Sequence, residues 1–406
     1  MKKLAKRCET VPRSAIRKMV GKSYGLDNVI SFAFGQPDFT TPKRIIDAGI
    51  RSLESGATFY TPNAGLDILR EAVAKDFEPR GMHYEKDNVI ITVGAMESLT
   101  LTMLALVDEG DEVIIQDPCF VNYYGMISSE GGVPVPVQSK EENEFMLDPA
   151  DVRAAITPKT KAILINFPTN PTGAVATSEN LDEIAKIAVE HDLYVISDEM
   201  YRKLIYTDDE FVSIAQSDGM SERTLIIDGM SKAYAMTGWR VGYTVGPEEI
   251  IANMVKMQEN VVSCVFEPVQ IAALDALTGD QSVVDEMVDQ YRRRRDLMVN
   301  GLNSMMGGKI TALMPKGAFY IFANIKGTGL SSEEFCNRLL DEKHVVTVPG
   351  SGFGPNGEGF VRISYAISEE QIKEGLDRIK DFVDSFSTYL QKRLSAEVYV
   401  CNRMVH

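Results

Sequence analysis

The sequence has few of the residues that build metal sites and disulfide frameworks. It contains five cysteines and four histidines among 406 residues, with no Cys-x-x-Cys and no His-Glu-x-x-His spacing. An odd number of scattered cysteines argues against a disulfide framework, and neither residue type has the spacing of a zinc site. We therefore expect reduced thiols and no bound metal.

Positive charge is also scarce. The chain has 42 lysines and arginines against 58 aspartates and glutamates, which gives a formal net charge of −16. Nucleic acids and anionic membranes bind basic surfaces, so neither is an expected partner. Four consecutive arginines within Tyr291–Asp296 lie in a helical pattern, and we interpret them as a solvated helix face.

Long hydrophobic runs are missing as well. The most apolar candidate, Leu99–Val107, is short for a membrane span and contains two threonines. The basic start of the chain, Met1–Thr10, is not followed by the apolar core of a secretory signal. The expected location is the cytoplasm.

Short apolar runs alternate with helical patterns from about residue 50 to about residue 290. Near-continuous Val/Ile strands between helices predict an α/β fold with a mainly parallel central sheet flanked by helices. The predicted strands are Asn88–Gly94, Glu112–Gln116, Gly132–Val137, Lys161–Asn166, Leu193–Ser197, Thr224–Ile227 and Arg240–Val245. Two prolines predict that Gly132–Val137 is an edge strand or an irregular one.

A second, smaller domain is predicted from the length and from a change of pattern after Gly307. A chain of 406 residues exceeds what one hydrophobic core usually supports. We predict an N-terminal segment 1–49 that joins the small domain, a large domain at 50–295 and a small α+β domain at 296–406. The other predicted elements are helices at Ala95–Val107, Asn180–Glu190, about 250–300 and Glu369–Leu394, and strands at Ala318–Ala323, Val345–Val348 and Phe360–Tyr365.

Three loops that follow predicted strands carry residues suited to binding a ligand. The glycine turn in Val93–Ser98 opens a helix whose free N–H groups form a phosphate cup. Two prolines and a glycine fix the turn Asn166–Gly173, which holds Asn170 in place. In Ser197–Tyr201 acidic residues end an apolar strand, where buried charge is costly unless it is paired. Each loop alone also fits a purely structural role, as a common turn or an ion pair.

A fourth loop carries a lysine. The apolar strand Thr224–Ile227 ends just before Lys232, which places an amine at the carboxyl edge of the predicted sheet, where open α/β sheets bind ligands. Arg240 lies eight residues further on, so the pair suits a ligand with an aldehyde and a phosphate. A single lysine is usually a solvated surface residue, so the hypothesis depends on the four loops converging.

The order of these motifs resembles that of the fold-type I pyridoxal-phosphate enzymes, specifically the class I aminotransferases of the aspartate aminotransferase type. The motifs are Asn-Pro-Thr-Gly, Ser-Asp-Glu-x-Tyr, and Ser-Lys with an arginine eight residues later. The resemblance extends from Phe34–Phe39 to Phe360–Ala366. It implies a homodimeric enzyme that uses pyridoxal 5'-phosphate to transfer the amino group of an L-α-amino acid to a 2-oxo acid such as 2-oxoglutarate.

The resemblance also implies roles for individual residues. Lys232 forms the Schiff base with the cofactor, and Asp198 faces the pyridine nitrogen. Tyr201 and Asn170 face the phenolic oxygen of the ring. The remaining implied cofactor contacts are phosphate binding by Arg240, Ser231 and the backbone of Gly94, Ala95 and Met96, stacking by Phe120, and a phosphate contact from Tyr60 of a partner subunit. The implied substrate contacts are Arg362 and the backbone of Gly35 on the α-carboxylate, with Asn170 beside them.

Two positions depart from the family pattern. Gly229 stands where many members have a phosphate-binding serine, and the hydroxyl of Ser231 is a substitute. Met96 stands where members specific for acidic substrates tend to have a lysine. The contact to a distal carboxylate is therefore unassigned, and aspartate, aromatic and aliphatic donors all remain open.

A lyase, a DNA-binding regulator and a nicotinamide-binding protein are the alternative functions. A carbon–sulfur lyase dependent on the same cofactor fits the same fold, because fold alone does not define the reaction. A ligand-sensing DNA-binding regulator is disfavoured by the acidic composition. The glycines of Gly350–Gly354 lack the spacing of a dinucleotide-binding loop.

Overall fold

The computed structural model describes residues 2–5, 7–11, 13–208 and 210–385, and its central feature is a seven-stranded sheet. The strands, numbered along the chain, are β1 (Ile30–Ser31), β2 (Val89–Thr92), β3 (Glu112–Asp117), β4 (Val133–Gln138), β5 (Thr160–Asn166), β6 (Tyr194–Asp198), β7 (Thr224–Gly229), β8 (Gly242–Val245), β9 (Tyr320–Asn324), β10 (Val345–Val346), β11 (Val348–Pro349) and β12 (Phe360–Ser364). The sheet has the order β2-β8-β7-β6-β5-β3-β4, and only β8 among these runs against the others. The predicted α/β fold with a mainly parallel sheet is confirmed.

Burial differs between the strands of this sheet, and even β2, at one edge, is covered on both faces. The residues of β2 and β7 are buried throughout, as expected for strands covered on both faces. β4 contains Pro134 and Pro136, which cannot donate to a neighbouring strand, and it lies at the edge as predicted. β8 begins two residues later than predicted, because Arg240 adopts a left-handed conformation with φ of 56°.

Helices cover the sheet and connect most of its strands. They are α1 (Arg7–Thr10), α2 (Ala15–Ser23), α3 (Lys43–Glu54), α4 (Asp67–Lys75), α5 (Ala95–Leu106), α6 (Asn122–Ser129), α7 (Pro149–Ala154), α8 (Ser178–Glu190), α9 (Glu248–Val261), α10 (Glu267–Thr278), α11 (Ser282–Met305) and α12 (Ser332–Lys343). Short 3₁₀ turns lie at Glu78–Arg80, Lys86–Asn88, Glu141–Asn143, Ile214–Gln216, Thr237–Trp239, Lys326–Thr328, Gly350–Phe353 and Pro355–Gly357. The residues predicted to be helical from about 250 to 300 form three helices, α9, α10 and α11.

Two small sheets lie outside the central one. β11, β12 and β9 form an antiparallel sheet in that order, in which Arg362 is opposite Phe322 and Tyr320 is opposite Ser364. β1, from near the start of the chain, pairs in parallel with β10. The N-terminal part of the chain therefore contacts the C-terminal part directly.

The arginine run lies on α11, and only part of it is solvated. Arg292 and Arg293 are exposed, as predicted. Arg294 is buried and pairs with Asp38 at 2.7 Å, so the prediction is wrong for this residue. A helix turns about 100° per residue, and consecutive arginines therefore cannot all share one face.

The C-terminal helix is described over residues 369–385, and the rest of the predicted Glu369–Leu394 lies outside the described residues. Cys8, Cys119, Cys264 and Cys336 are free thiols, whereas Cys401 is not described. Among the helices of the described ranges, none is both long and apolar enough to cross a membrane. The same ranges hold no cluster of three side chains that suits a metal ion.

Candidate active site

A cavity of about 260 Å³ lies at the carboxyl ends of β5, β6 and β7. Asn166, Asp198 and Ile227 are neighbours across these three parallel strands, so the loops that follow them meet at one edge of the sheet. Eleven of the residues singled out from the sequence line this cavity: Gly35, Ala95, Met96, Phe120, Asn170, Asp198, Tyr201, Ser231, Lys232, Arg240 and Arg362. The convergence expected from the strand order is therefore present.

Lys232 presents a half-buried amine to the cavity. Its Nζ donates a hydrogen bond of 2.5 Å to the carbonyl oxygen of Gly35. Burial, together with the positive charges of Arg362 and Arg240, lowers the pKa of Lys232 to about 8, although Asp198 acts in the opposite direction. An amine with this pKa is unprotonated in a useful fraction of molecules near neutral pH, as a nucleophile or proton acceptor must be.

Asp198 ends β6 and is 5% exposed. Burial raises the pKa of its carboxyl group to about 6, and the hydroxyl of Tyr123 opposes this rise by donating to Oδ2 at 2.6 Å. Within the described ranges Asp198 has no salt bridge. A buried carboxylate at a cavity wall without a cationic partner suits a ligand with a protonated ring nitrogen.

Arg362, on β12, is completely buried. Its Nη1 donates to Asn170 Oδ1 at 3.0 Å and its Nη2 donates to the carbonyl oxygen of Ala33 at 2.5 Å. Its Nε has no hydrogen-bond partner among the described residues, and burial lowers the pKa of the guanidinium. A buried guanidinium without a carboxylate partner and with an unused donor suits a ligand carboxylate.

The other end of the cavity is suited to a phosphate. Gly94 precedes α5 with φ of 77°, and a Cβ at this position would come within 2.6 Å of Arg240 Nη2. A glycine is therefore required by both the backbone and the space beside the guanidinium. The N-terminus of α5, Arg240 and Ser231 together form a positively polarised cradle for an anion.

Tyr201 and Asn170 complete the wall between these groups. Tyr201 is 5% exposed, and its hydroxyl shares a hydrogen bond of 2.8 Å with the hydroxyl of Tyr320. The backbone N–H of Asn170 donates to Asn166 Oδ1 at 2.9 Å, which fixes the turn predicted to be rigid. Phe120 lies at the cavity with its ring edge against Tyr123.

The residues present therefore fit pyridoxal phosphate. Its aldehyde would meet the amine of Lys232, its ring nitrogen would meet the carboxylate of Asp198, and its phosphate would meet Arg240. Each of these polar groups already faces the cavity. The guanidinium of Arg362, which lines the cavity and has no carboxylate partner among the described residues, would meet a substrate carboxylate.

Two of the predicted residues stand apart from the cavity. Gly94 borders it through Ala95, whereas Tyr60 is 90% exposed and does not line it within this single chain. The resemblance assigns Tyr60 to the site of a neighbouring subunit, and that role stays a prediction.

Several residues that line the cavity were not predicted from the sequence. They are Ile16, Leu99, Tyr123, Met200, Thr237 and Tyr320. Tyr123 lies one helical turn after Phe120, and that spacing is the one local signal that points to the site. Ile16 on α2 and Tyr320 on β9 come from distant parts of the chain and look like core residues in the sequence.

The chain is similar to known aminotransferases over nearly its whole length. Residues 27–379 match the family described as "Aminotransferase class I and II". The chain is 44% identical to the aromatic-amino-acid aminotransferase 2 of Thermococcus litoralis, over 93% of this chain and 97% of the relative. It is also 44% identical to the aspartate aminotransferase of Pyrococcus abyssi, with the same coverage.

The fold has matching solved structures. The aspartate aminotransferase of Thermus thermophilus with maleate superposes with a TM-score of 0.89 at 38% identity, covering 94% of this chain and 100% of that one. Fold, cavity and similarity agree. The chain belongs to the class I and II aminotransferases, and it is a pyridoxal-phosphate-dependent enzyme that transfers amino groups between amino acids and 2-oxo acids.

Proposed function

We propose that the preferred amino donors are amino acids with aromatic or large apolar side chains rather than aspartate. The observation that carries this proposal is the composition of the cavity wall. Apolar side chains of Ile16, Met96 and Leu99 line it, and Asn122 holds the sulfur of Met96 through a contact of 3.6 Å. Similarity does not separate the two donor classes, because an aromatic-amino-acid and an aspartate aminotransferase are equally identical to this chain.

In this assignment each cationic side chain at the cavity already has a partner on the cofactor or on the substrate α-carboxylate. Among the described residues, those that line it are Lys232, Arg240 and Arg362, which we assign to the cofactor aldehyde, the cofactor phosphate and the substrate α-carboxylate. A second carboxylate on the donor would lose water against Met96 without gaining a cationic partner among the described residues of this chain that line the cavity, and such desolvation is costly.

Lys232 is the group we assign to proton transfer at the substrate Cα. When bound, the cofactor supplies an aldehyde that captures the amino group and a ring that accepts the negative charge developing at Cα. With a pKa of about 8, Nζ of Lys232 can accept the proton from Cα and later release it. Asp198 would hold a proton on the ring nitrogen, which keeps the ring electron-poor.

Arg362, Asn170 and Gly35 orient the substrate in this proposal. The guanidinium of Arg362 is held by Asn170 and Ala33, so it reaches the carboxylate in a fixed direction. A fixed guanidinium lowers the entropy cost of placing Cα beside Nζ of Lys232.

The test is a set of half-reactions in which the enzyme meets one amino acid at a time and no acceptor. We expect kcat/KM for phenylalanine to exceed that for aspartate by at least about tenfold, because an unpaired distal carboxylate is costly to desolvate. Met96→Lys should raise kcat/KM for aspartate by roughly tenfold or more through a charged hydrogen bond.

Met96→Leu is the matched control, since it keeps an apolar side chain at the same position and should leave aspartate a poor donor. Equal rates for aspartate and phenylalanine in the unmodified enzyme would contradict the proposal.

We further propose the organisation implied by the resemblance. Residues 1–49 and 296–406 would form the small domain and residues 50–295 the large one. Two copies would associate so that Tyr60 of each reaches the phosphate of the other. A cytoplasmic location is part of the same proposal, and the acidic composition supports the absence of nucleic acid and membrane partners.

A further inference from the structure

Tyr320 lies between two groups of the site that come from different parts of the fold. Its hydroxyl shares a hydrogen bond of 2.8 Å with the hydroxyl of Tyr201. Its ring face lies under the guanidinium of Arg362, whose central carbon is 4.5 Å from the ring centroid. Tyr320 is 1% exposed and lines the cavity. One side chain therefore contacts both the residue assigned to the cofactor ring and the residue assigned to the substrate.

The ring of Tyr320 has little freedom to move. A Cβ at position 35 would lie 2.1 Å from its hydroxyl oxygen, so the hydroxyl fits only against a glycine. The carbonyl oxygen of that same Gly35 accepts the hydrogen bond from Lys232. The ring also packs against Phe319 with centroids 4.8 Å apart. The hydroxyl is thus held in one place relative to the cavity.

The shared hydrogen bond has a consequence for the proton of Tyr201. Each of the two hydroxyls has one proton, and only one of those protons lies in the bond between them. Burial raises the pKa of Tyr201 and of Tyr320, so both keep their protons over the working range of pH. When Tyr320 donates to the oxygen of Tyr201, the proton of Tyr201 is free to point into the cavity.

We propose that Tyr320 is a positioning residue for amino-group transfer, whose hydroxyl directs the proton of Tyr201 toward the cofactor and whose ring supports the guanidinium of Arg362. The proposal rests on the assignment of Tyr201 to the phenolic oxygen of the cofactor. It adds a residue from the small antiparallel sheet, which acts on the cofactor only through Tyr201.

Tyr320→Phe removes the hydroxyl and keeps the aromatic ring, so it tests the role of the hydroxyl alone. In the holoenzyme we expect the midpoint of the pH titration of cofactor absorbance to rise by about half a unit to one unit, the effect of one neutral hydrogen bond. The rise follows because a less directed Tyr201 stabilises the anionic phenolic oxygen less. In half-reactions kcat should fall roughly threefold to tenfold, while KM stays within about twofold because the ring remains.

Tyr320→Leu removes the ring as well and should raise KM for the amino donor, because Arg362 loses the nearer of the two aromatic faces against it, those of Tyr320 and Phe353. Tyr365→Phe is the matched control for loss of a buried hydroxyl. Tyr365 is fully buried, its hydroxyl donates to the carbonyl oxygen of Ala318 at 3.3 Å, and it does not line the cavity. It should lower thermal stability while leaving the titration midpoint, kcat and KM unchanged.

Tyr201→Phe separates a failure of the Tyr320 proposal from a failure of the assignment of Tyr201 to the phenolic oxygen of the cofactor. Tyr201→Phe should shift the midpoint by itself, and adding Tyr320→Phe should then cause no further shift. If Tyr201→Phe leaves the midpoint unchanged, the assignment of Tyr201 fails. If Tyr201→Phe shifts it and Tyr320→Phe does not, only the role of Tyr320 is refuted. A midpoint shift in Tyr365→Phe equal to that in Tyr320→Phe would also refute it.

Discussion

At the scale of single residues, burial shifts the pKa of each main ionisable group of the site in the direction that favours its neutral form. The pKa of Lys232 is lowered to about 8 and that of Asp198 is raised to about 6, in each case chiefly by desolvation. The pKa of Arg362 is lowered for the same reason. None of the three forms a salt bridge within the part of the chain that the structure describes. Such uncompensated groups in one cavity are typical of sites whose ligands supply the missing partners.

Tyr123 offers a test of this electrostatic balance. Its hydroxyl donates to Asp198 and thereby lowers the pKa of that carboxyl group, against the larger effect of burial. In Tyr123→Phe the pKa of Asp198 should therefore rise further above 6, by about half a unit to one unit. Binding of the cofactor to the apoenzyme needs the ionised carboxylate. As the pH is lowered, the variant should therefore lose affinity at a higher pH than the unmodified enzyme does.

The measurement is the pH dependence of the dissociation constant of pyridoxal phosphate for the apoenzyme between about pH 5 and pH 8. Protonation of the cofactor itself is the same for every variant and cancels in the comparison. Tyr124→Phe is the control, because the hydroxyl of Tyr124 donates to Asp117 at 3.2 Å and not to Asp198. A downward shift of the binding profile in Tyr123→Phe would show that the hydrogen bond acts with the opposite sign.

At the scale of secondary structure, the sequence was informative wherever function follows from strand order. The strands ending at Asn166, Asp198 and Gly229 are buried apolar runs, and their parallel alignment brings the following loops together. Local patterns could predict that convergence because parallel neighbours share one edge. Local patterns could not predict Tyr320 or Ile16, since their positions depend on packing between segments hundreds of residues apart. In the sequence both have the appearance of ordinary core residues, and only the packing of the small sheet and of α2 brings them to the cavity.

The turn between β2 and α5 leaves little room for a side chain at Gly94. Gly94→Ala would force a side chain into a left-handed backbone conformation and against the guanidinium of Arg240. We expect the affinity of the apoenzyme for pyridoxal phosphate to fall by at least about tenfold, since Arg240 and the α5 N-terminus would both be displaced. Fluorescence titration of the apoenzyme with the cofactor measures this loss.

Gly110→Ala is the matched control for backbone strain. Gly110 has a φ of 90°, and a Cβ there would meet nothing within 4 Å. It should cost stability, as any alanine at positive φ does, without changing cofactor affinity. Equal losses of affinity in the two variants would mean that strain, rather than the contact with Arg240, determines the effect.

At the scale of the whole molecule, one feature of the single chain points beyond it. Phe59 and Tyr60 are 81% and 90% exposed, although large aromatic side chains usually gain stability from burial. Adjacent exposed aromatic residues are typical of interaction surfaces. The proposed homodimer would cover them and would place Tyr60 at the phosphate end of the neighbouring site.

Subunit complementation tests this arrangement directly. Lys232→Ala and Tyr60→Ala should each give a weakly active homodimer, the first by loss of the amine and the second by loss of a phosphate contact. If Tyr60 acts across the interface, a mixed dimer contains one site with both native residues and one site with neither. Mixing the two variants under conditions that exchange subunits should then restore up to about half of the native activity per mixed dimer. If Tyr60 acts within its own chain, every site in the mixed dimer has one defect and no activity returns. Mixing Lys232→Ala with Asp198→Ala is the control, because both residues line the same cavity of one chain and their mixture should remain inactive.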